Sequence, residues 1–156
     1  ILAEIAAWAK DQGLSLYQLL QKIYVEYGFS KEKGISVVKK GKSGAEEIEA
    51  MMKKFRENPL TEIAGSKVTY FYDYSTLKGK DYAENETVTL DMPTTSNVLQ
   101  YFTEDNTKVS IRPSGTEPKI KFYCEVHSKV KSIDELPEAE KAAEEKINQI
   151  KASLGI

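Results

Sequence analysis

Eight consecutive residues, Arg112-Pro113-Ser114-Gly115-Thr116-Glu117-Pro118-Lys119, collect the groups best suited to holding an anion. Arg112 supplies a planar fork of N–H donors that stays charged and matches the oxygens of a phosphate. Ser114 and Thr116 add hydroxyl donors, and Lys119 adds an ammonium at the far edge. Gly115 permits a turn with φ > 0, in which successive backbone N–H groups converge on an anion. Pro113 and Pro118 restrict φ and limit how far the loop can wander. The chemistry is that of a preformed phosphate receptor. The same octet also suits a plain tight turn whose arginine pairs with a surface carboxylate.

Arginine usage bears on that choice. Of 22 lysines and arginines only Arg56 and Arg112 are arginine. Arg56 falls in Lys53-Lys54-Phe55-Arg56-Glu57, a charged stretch of helix where solvation accounts for it. Arg112 ends an alternating strand and opens the loop. Lys121 lies on the polar face of the following strand and adds positive potential, but Lys119 is the better placed of the two to touch a ligand.

The elements that position this loop can be read from periodicity. Leu2, Ile5, Ala6 and Ala9 follow helical spacing with Gly13 as a stop. The pattern opens at Ile1 without a capping residue, as a helix continuing upstream would. Ser15 and Gln18 form a capping box for a second helix, striped by Leu16, Leu19, Leu20, Ile23, Tyr24 and Tyr27 and ended by Gly28. The apolar faces of this helical pair exceed what two short helices can bury between themselves.

Beyond a boundary near Gly28 to Gly34, residues 35–39 read as a short strand. Ser43 and Glu46 form a second capping box for a helix burying Ile48, Met51, Met52 and Phe55, stopped by Asn58-Pro59. Residues 67–74 read as a strand. Residues 75–96 read as a polar connection of low order, with at most a short strand at 87–90. Residues 99–103 and 107–112 flank a hairpin turn at Asp105-Asn106. Ile120, Phe122, Cys124 and Val126 give the next strand one apolar face. Residues 138–154 form a charged helix with Ala143, Ile147, Ile150 and Leu154 inward, ended by Gly155. About four antiparallel strands and two helices covering one face predict an α+β sandwich.

Composition excludes several classes. The chain has 156 residues, 40% of them hydrophobic, enough for one substantial core. Twenty-two basic against 24 acidic residues give no bulk field for nucleic acid or an anionic membrane. No apolar run approaches a membrane span. The single cysteine, Cys124, fits a reducing compartment and reads as a core thiol. His127, the only histidine, sits on a polar strand face without a second ligand. Tyr70, Phe71, Tyr72 and Tyr74 lack interleaved arginines and read as packing residues. Lys39, Lys40 and Lys42 make a small solvated cluster at a bend.

Arg112 to Tyr123, RPSGTEPKIKFY, closely resembles the phosphate-binding loop in the fourth domain of the α-D-phosphohexomutases, the phosphoglucomutase and phosphomannomutase enzymes. Tyr27-Gly28, the Gly-rich bend at 40–44, Arg56-Glu57-Asn58-Pro59, Ala64-Gly65 and Asp73-Tyr74 follow the family pattern in order, so the resemblance covers nearly the whole chain. Gly115 and Glu117-Pro118-Lys119 look like the phosphoglucomutase-like branch, since bacterial phosphomannomutases usually carry Asn at that glycine.

The resemblance implies a four-stranded antiparallel sheet with two helices, resembling one repeat of the TATA-box-binding protein. It implies residues 1–30 as the end of a preceding domain with linker helices, and 31–156 as the C-terminal phosphate-binding domain. It also implies a cytoplasmic enzyme that interconverts hexose 1-phosphate and hexose 6-phosphate through a phosphoserine and a bisphosphorylated sugar. Arg112, Ser114, Gly115, Thr116 and Lys119 would hold the non-reacting substrate phosphate. The family's Ser-His-Asn-Pro stretch, its magnesium loop and its sugar-selecting loop are all missing from these residues. The chain therefore reads as a fragment without mutase activity, with Mg2+ and the catalytic serine in upstream domains. The rival expectations are a nucleic-acid-binding module and a purely structural α+β domain.

Overall fold

The computed structural model describes residues 1–39, 41 and 43–156, so Lys40 and Lys42 of the expected basic bend lie outside the described residues. In chain order the elements are α1 (Leu2–Asp11), α2 (Leu16–Tyr27), β1 (Phe29–Val38), α3 (Gly44–Glu57), β2 (Glu62–Ile63) and β3 (Ser66–Asp73). There follow β4 (Lys78–Asp81), β5 (Glu86–Thr89), β6 (Leu99–Thr103), β7 (Lys108–Pro113), β8 (Lys119–Ser128), a 3-10 turn at Ile133–Glu135, and α4 (Leu136–Leu154). Two compact units emerge, one of Ile1–Lys31 with His127–Glu145, the other of Glu32–Val126 with Lys146–Ile156.

In the first unit, Ser15 caps α2 as its spacing predicts. Its hydroxyl accepts from Gln18 N while the Gln18 side chain accepts from Ser15 N. Helix α1 ends as expected at Gly13, which has φ +72°. Gly13 N donates to Lys10 O and Leu14 N to Ala9 O, the paired bonds of a Schellman stop. Phe29 and Tyr24 meet edge to face at 5.0 Å, and Lys31 Nζ reaches both Glu140 and Glu144. Burial is thin here: α2 has no buried residue, and Leu2, Trp8, Tyr17 and Tyr27 are more than half exposed. These helices present the apolar surplus that their stripes predict.

The second unit holds the core. Across the sheet the strands run β1-β8-β7-β6-β3-β4-β5, with β2 paired to β3 off that path. The ladders β8–β7, β7–β6, β6–β3, β3–β4 and β4–β5 are antiparallel. Strict alternation sorts the faces. Val109, Ile111, Ile120, Phe122 and Tyr101 are fully buried, whereas Gln100, Ser110, Arg112 and Lys121 are not. Phe55 of α3 meets Phe122 edge to face, and Tyr101 donates its hydroxyl hydrogen to Phe55 O at 2.9 Å. Ile147, Ile150 and Leu154 of α4 are buried as their spacing predicts, and Gly155 closes that helix. The opposite face stays open, with Tyr72 packed on Phe102 and Gln100 bridging Tyr74 and Ser110.

The class is therefore α+β, but the sheet has eight strands rather than four. Three strands carried little signal. In β4 the residues Lys78-Gly79-Lys80-Asp81 have no apolar alternation, and the Tyr72 ring of β3 covers Gly79. A Cβ there would stand 2.4 Å from Tyr72 Cδ1, so the aromatic ring supplies the side chain the strand lacks. Strand β5, Glu-Thr-Val-Thr, is a largely exposed edge. Strand β2 has two residues, joined to β3 by Ala64 and Gly65 with φ of 50° and 76°, the tight primed hairpin turn. Strand β1 starts at Phe29, before the expected residue 35, through a polar stretch that periodicity misses.

Two local expectations fail. Ser43 does not cap α3: its backbone is helical (φ −78°, ψ −10°) and its side chain makes no cap hydrogen bond, whereas a capping residue needs an extended backbone. Arg56 is not merely solvated. Its Nε donates to Asp73 Oδ2 at 3.0 Å and its Nη2 to Asn97 Oδ1 at 2.8 Å, which satisfies a buried carboxylate.

The β6–β7 turn yields a stability prediction. Burial pushes the Asp105 carboxyl upward, but hydrogen bonds from Lys146, Thr103 and Thr107 and the Lys146 charge outweigh it and hold the pKa below the usual carboxylate range. A carboxylate depressed in the folded state adds stability above its unfolded pKa, and loses it as pH falls through the folded value. Asp105→Asn should therefore lower Tm at pH 7. The gap to wild type should start to narrow as pH falls below about 4, where the unfolded carboxyl takes up its proton, and should close only below the depressed folded-state pKa. A pH-independent gap in thermal melts would contradict the assignment.

Candidate functional site

The loop between β7 and β8 is held by its feet. Val109, Ile111, Ile120 and Phe122 are buried to completion in the flanking strands. The register pairs Arg112 with Lys121 and Pro113 with Ile120. Ser114 N then donates to Lys119 O at 2.7 Å, and Lys119 N to Glu117 O at 2.7 Å. From outside, Lys39 N donates to Pro118 O at 2.9 Å. Four residues, 114 to 117, are left to form the tip.

That tip is rich in unused donors. The backbone N–H groups of Gly115, Thr116 and Glu117 and the hydroxyls of Ser114 and Thr116 have no hydrogen-bond acceptor among the described residues. Arg112 is exposed and makes no ion pair or side-chain hydrogen bond among them. Strand parity places Arg112, Lys119 and Lys121 on the open face, opposite the buried row. The structure thus brings Ser114, Gly115 and Thr116 into one exposed turn, with Arg112 and Lys119 on its two feet.

Two details differ from expectation. Gly115 is not among the residues with positive φ, so no left-handed turn gathers the N–H groups. A Cβ at Gly115 would meet nothing within 4 Å, and the glycine leaves the approach to the loop open. Lys119 is engaged: its Nζ pairs with Glu117 Oε2. That hydrogen bond and the charges of Lys119 and Lys121 hold the Glu117 carboxyl below its usual range.

Sequence reading missed the neighbourhood of α3. A Cβ on Gly44, its first residue, would lie 2.5 Å from Lys39 O and 3.2 Å from Pro118 Cβ. The helix therefore starts hard against the base of the loop, and only glycine fits there. Between α3 and Pro113–Pro118 runs a cleft of about 750 Å³ floored by Ile48 and Met52. Its charged lining is Glu49, Glu57 and Glu117 against Lys53 and Arg56. Three acids thus stand against two bases, one of them bound to Asp73. Ser114, Gly115 and Thr116 of the tip line this same cleft.

The remaining candidates stay where the sequence put them. Cys124 is buried, and burial pushes its thiol up to about 11 against a small opposing pull from Lys151, so it is no nucleophile. His127 lies on an exposed strand position. Phe71 packs on Tyr101 at 4.9 Å and Tyr70 on Tyr72 at 5.9 Å, as packing residues do. Among the described residues no group of three His, Cys, Asp or Glu is arranged to hold a metal ion, and no helix is long and apolar enough to cross a membrane.

An antiparallel sheet with helices packed on one face places the chain in the α+β class. The family is specific: residues 35–143 match the family described as Phosphoglucomutase/phosphomannomutase, C-terminal domain, and the chain belongs to it. It is 37% identical over 118 residues to a phosphoglucomutase of Staphylococcus haemolyticus, covering 76% of this chain and 21% of that protein. A phosphoglucomutase of Staphylococcus saprophyticus is 33% identical over 124 residues, 80% of this chain and 22% of its own length. The chain thus spans about a fifth of the length of the curated relatives it matches. The open form of parafusin, a phosphoglucomutase from Paramecium, overlaps 91% of this chain and 24% of its own at 15% identity and a TM-score of 0.39, too loosely to bear on the fold.

The tight base and open tip predict opposite responses to one methyl group. Gly44→Ala should cost about 1–3 kcal/mol, because backbone rather than a flexible side chain must move. Gly115→Ala should stay within about 0.5 kcal/mol of wild type. Urea unfolding of both variants checks the contrast, and an unaffected Gly44→Ala would refute the close approach.

Proposed function

We propose that this chain is the C-terminal phosphate-binding domain of a phosphohexomutase of the phosphoglucomutase type. The whole protein interconverts hexose 1-phosphate and hexose 6-phosphate through a phosphoserine and a bisphosphorylated sugar. The observation that carries this reading is the run of unpartnered donors at 114–116, with the N–H of Glu117, between the Arg112 and Lys119 feet. Arg112, Ser114, Gly115, Thr116 and Lys119 hold the phosphate that is not reacting. Binding energy gained at this remote end orients the reacting end. The substrate presents its two ends in turn, so a receptor indifferent to which phosphate it holds serves both half-reactions.

On this reading residues 1–30 close the preceding domain and 31–156 form the phosphate-binding domain, which swings near Gly28 to Gly34 to shut the cleft and exclude water. The exposed stripes of α1 and α2 are then surface for upstream domains of the same chain. Mg2+ belongs to a loop in those domains, and the chemistry it supplies there is electrostatic stabilisation of the transferring phosphoryl group. The setting is cytoplasmic, and neither nucleic acid nor membrane is a partner.

Two outcomes test the proposal. The purified 156-residue chain should not interconvert glucose 1-phosphate and glucose 6-phosphate above a mock preparation. In the full-length enzyme, Arg112→Ala should lower kcat/KM by about 10- to 150-fold, the worth of one charge-assisted hydrogen bond lost in the transition state. Phosphorylation of the catalytic serine by other donors should suffer less. A kcat/KM within twofold of wild type would overturn the role given to the loop.

A further inference from the structure

The loop contains one carboxylate, and its position invites a role of its own. Glu117 is the last residue of the tip, and its Oε2 lies 2.5 Å from Lys119 Nζ. The Lys119 side chain is 22% exposed while that of Glu117 is 60% exposed. The carboxylate is the more exposed partner of the pair. Lys119 N also donates to Glu117 O, so main chain and side chain of the same two residues are joined twice.

The electrostatic setting explains why an acid belongs there. Arg112 and Lys121 stand opposite each other in the ladder, and Lys119 follows on the same face. Three cations share one end of the open face, and like charges directly opposed on a sheet repel. Without a ligand, Glu117 is the anion within the tip that meets this field. The Lys119 hydrogen bond, with the Lys119 and Lys121 charges, holds its carboxyl below the usual carboxylate range.

We propose that Glu117 is the loop's resident anion and its specificity-determining residue. Its carboxylate occupies the Lys119 ammonium until a phosphate dianion displaces it, so every ligand binds in competition with Glu117. This rests on the reading of the loop as a phosphate receptor and adds a built-in competitor to it. A dianion that meets Arg112, the N–H groups and Lys119 together outweighs the broken pair, whereas a monovalent anion does not. Binding is kept loose by design of the site, as a loop that must release one phosphate and accept another requires.

The test is a titration of the 156-residue chain with inorganic phosphate at constant ionic strength, followed by amide chemical shifts of residues 114–119. The forms compared are wild type, Glu117→Gln, Lys119→Met and the double variant. Glu117→Gln should bind phosphate about two- to fivefold tighter, the worth of an exposed ion pair no longer in competition. In the Lys119→Met background the same change should bring no gain, because nothing remains to be released. Chloride affinity should rise at least as much as phosphate affinity in Glu117→Gln.

Two outcomes would overturn the inference while leaving the phosphate reading intact: no gain in Glu117→Gln, or an equal gain with Lys119→Met, which would make the effect plain charge removal. Wild-type titrations that shift no residue in 114–117 would overturn both. Glu117→Ala repeats the measurement without the amide of glutamine, and should show the same gain.

Discussion

Ser114 N donating to Lys119 O is the last rung of the β7–β8 ladder, and the geometry of the loop depends on that rung. Below it, Ile111, Ile120 and Phe122 are sealed in the core, so neither strand can slip by one residue without turning its apolar row to solvent. That constraint fixes which way Arg112 and Lys121 face. Above it, four residues cross from one strand to the other with too few internal acceptors for their donors. A rigid base and an unsatisfied tip follow from the same hydrogen-bond register. The Lys39 to Pro118 bond and the tight seat of Gly44 brace the base from the α3 side.

The two arginines show how placement rather than residue type decides a role. Arg56 leaves α3 beside a buried carboxylate, and its fork is consumed by Asp73 and Asn97. The result is a structural tie between a helix, a strand end and the segment before β6. Arg112 emerges on the open face of β7, opposite another cation, with no acceptor for its fork among the described residues. A chain of net charge −2 concentrates positive potential at one ladder end without any bulk basicity. Local register achieves what composition does not reveal.

Much of this was legible because it rests on local chemistry. The capping pair at Ser15 and Gln18, the glycine stops at Gly13 and Gly155 and the α4 stripe follow from short-range rules that the tertiary fold leaves undisturbed. The loop residues stood out for the same reason, being contiguous. What was not legible depends on partners distant in sequence. Strand β4 sets Gly79 beneath the Tyr72 ring of β3, a cross-strand pairing that the polar run Lys78-Gly79-Lys80-Asp81 does not announce. Ser43 had the right spacing for a cap, but its backbone is already helical and its side chain makes no cap hydrogen bond. Arg56 read as solvated since Asp73 and Asn97 lie 17 and 41 residues away.

Lys119 combines both kinds of constraint. Its residue type and position recommended it as a ligand contact, and the structure gives it a carboxylate partner from within the same loop. Those two facts are compatible if the loop's task is to hold a phosphate loosely. A receptor that keeps all its cations free would gain affinity, but each increment of ground-state binding would slow release of the intermediate and leave the chemical step untouched. A competing acid inside the loop lowers affinity without removing any donor, so orientation survives while grip is reduced. The geometry of the β7–β8 turn permits this because Glu117 and Lys119 flank Pro118, whose restricted φ and whose carbonyl bond to Lys39 hold the two side chains in register.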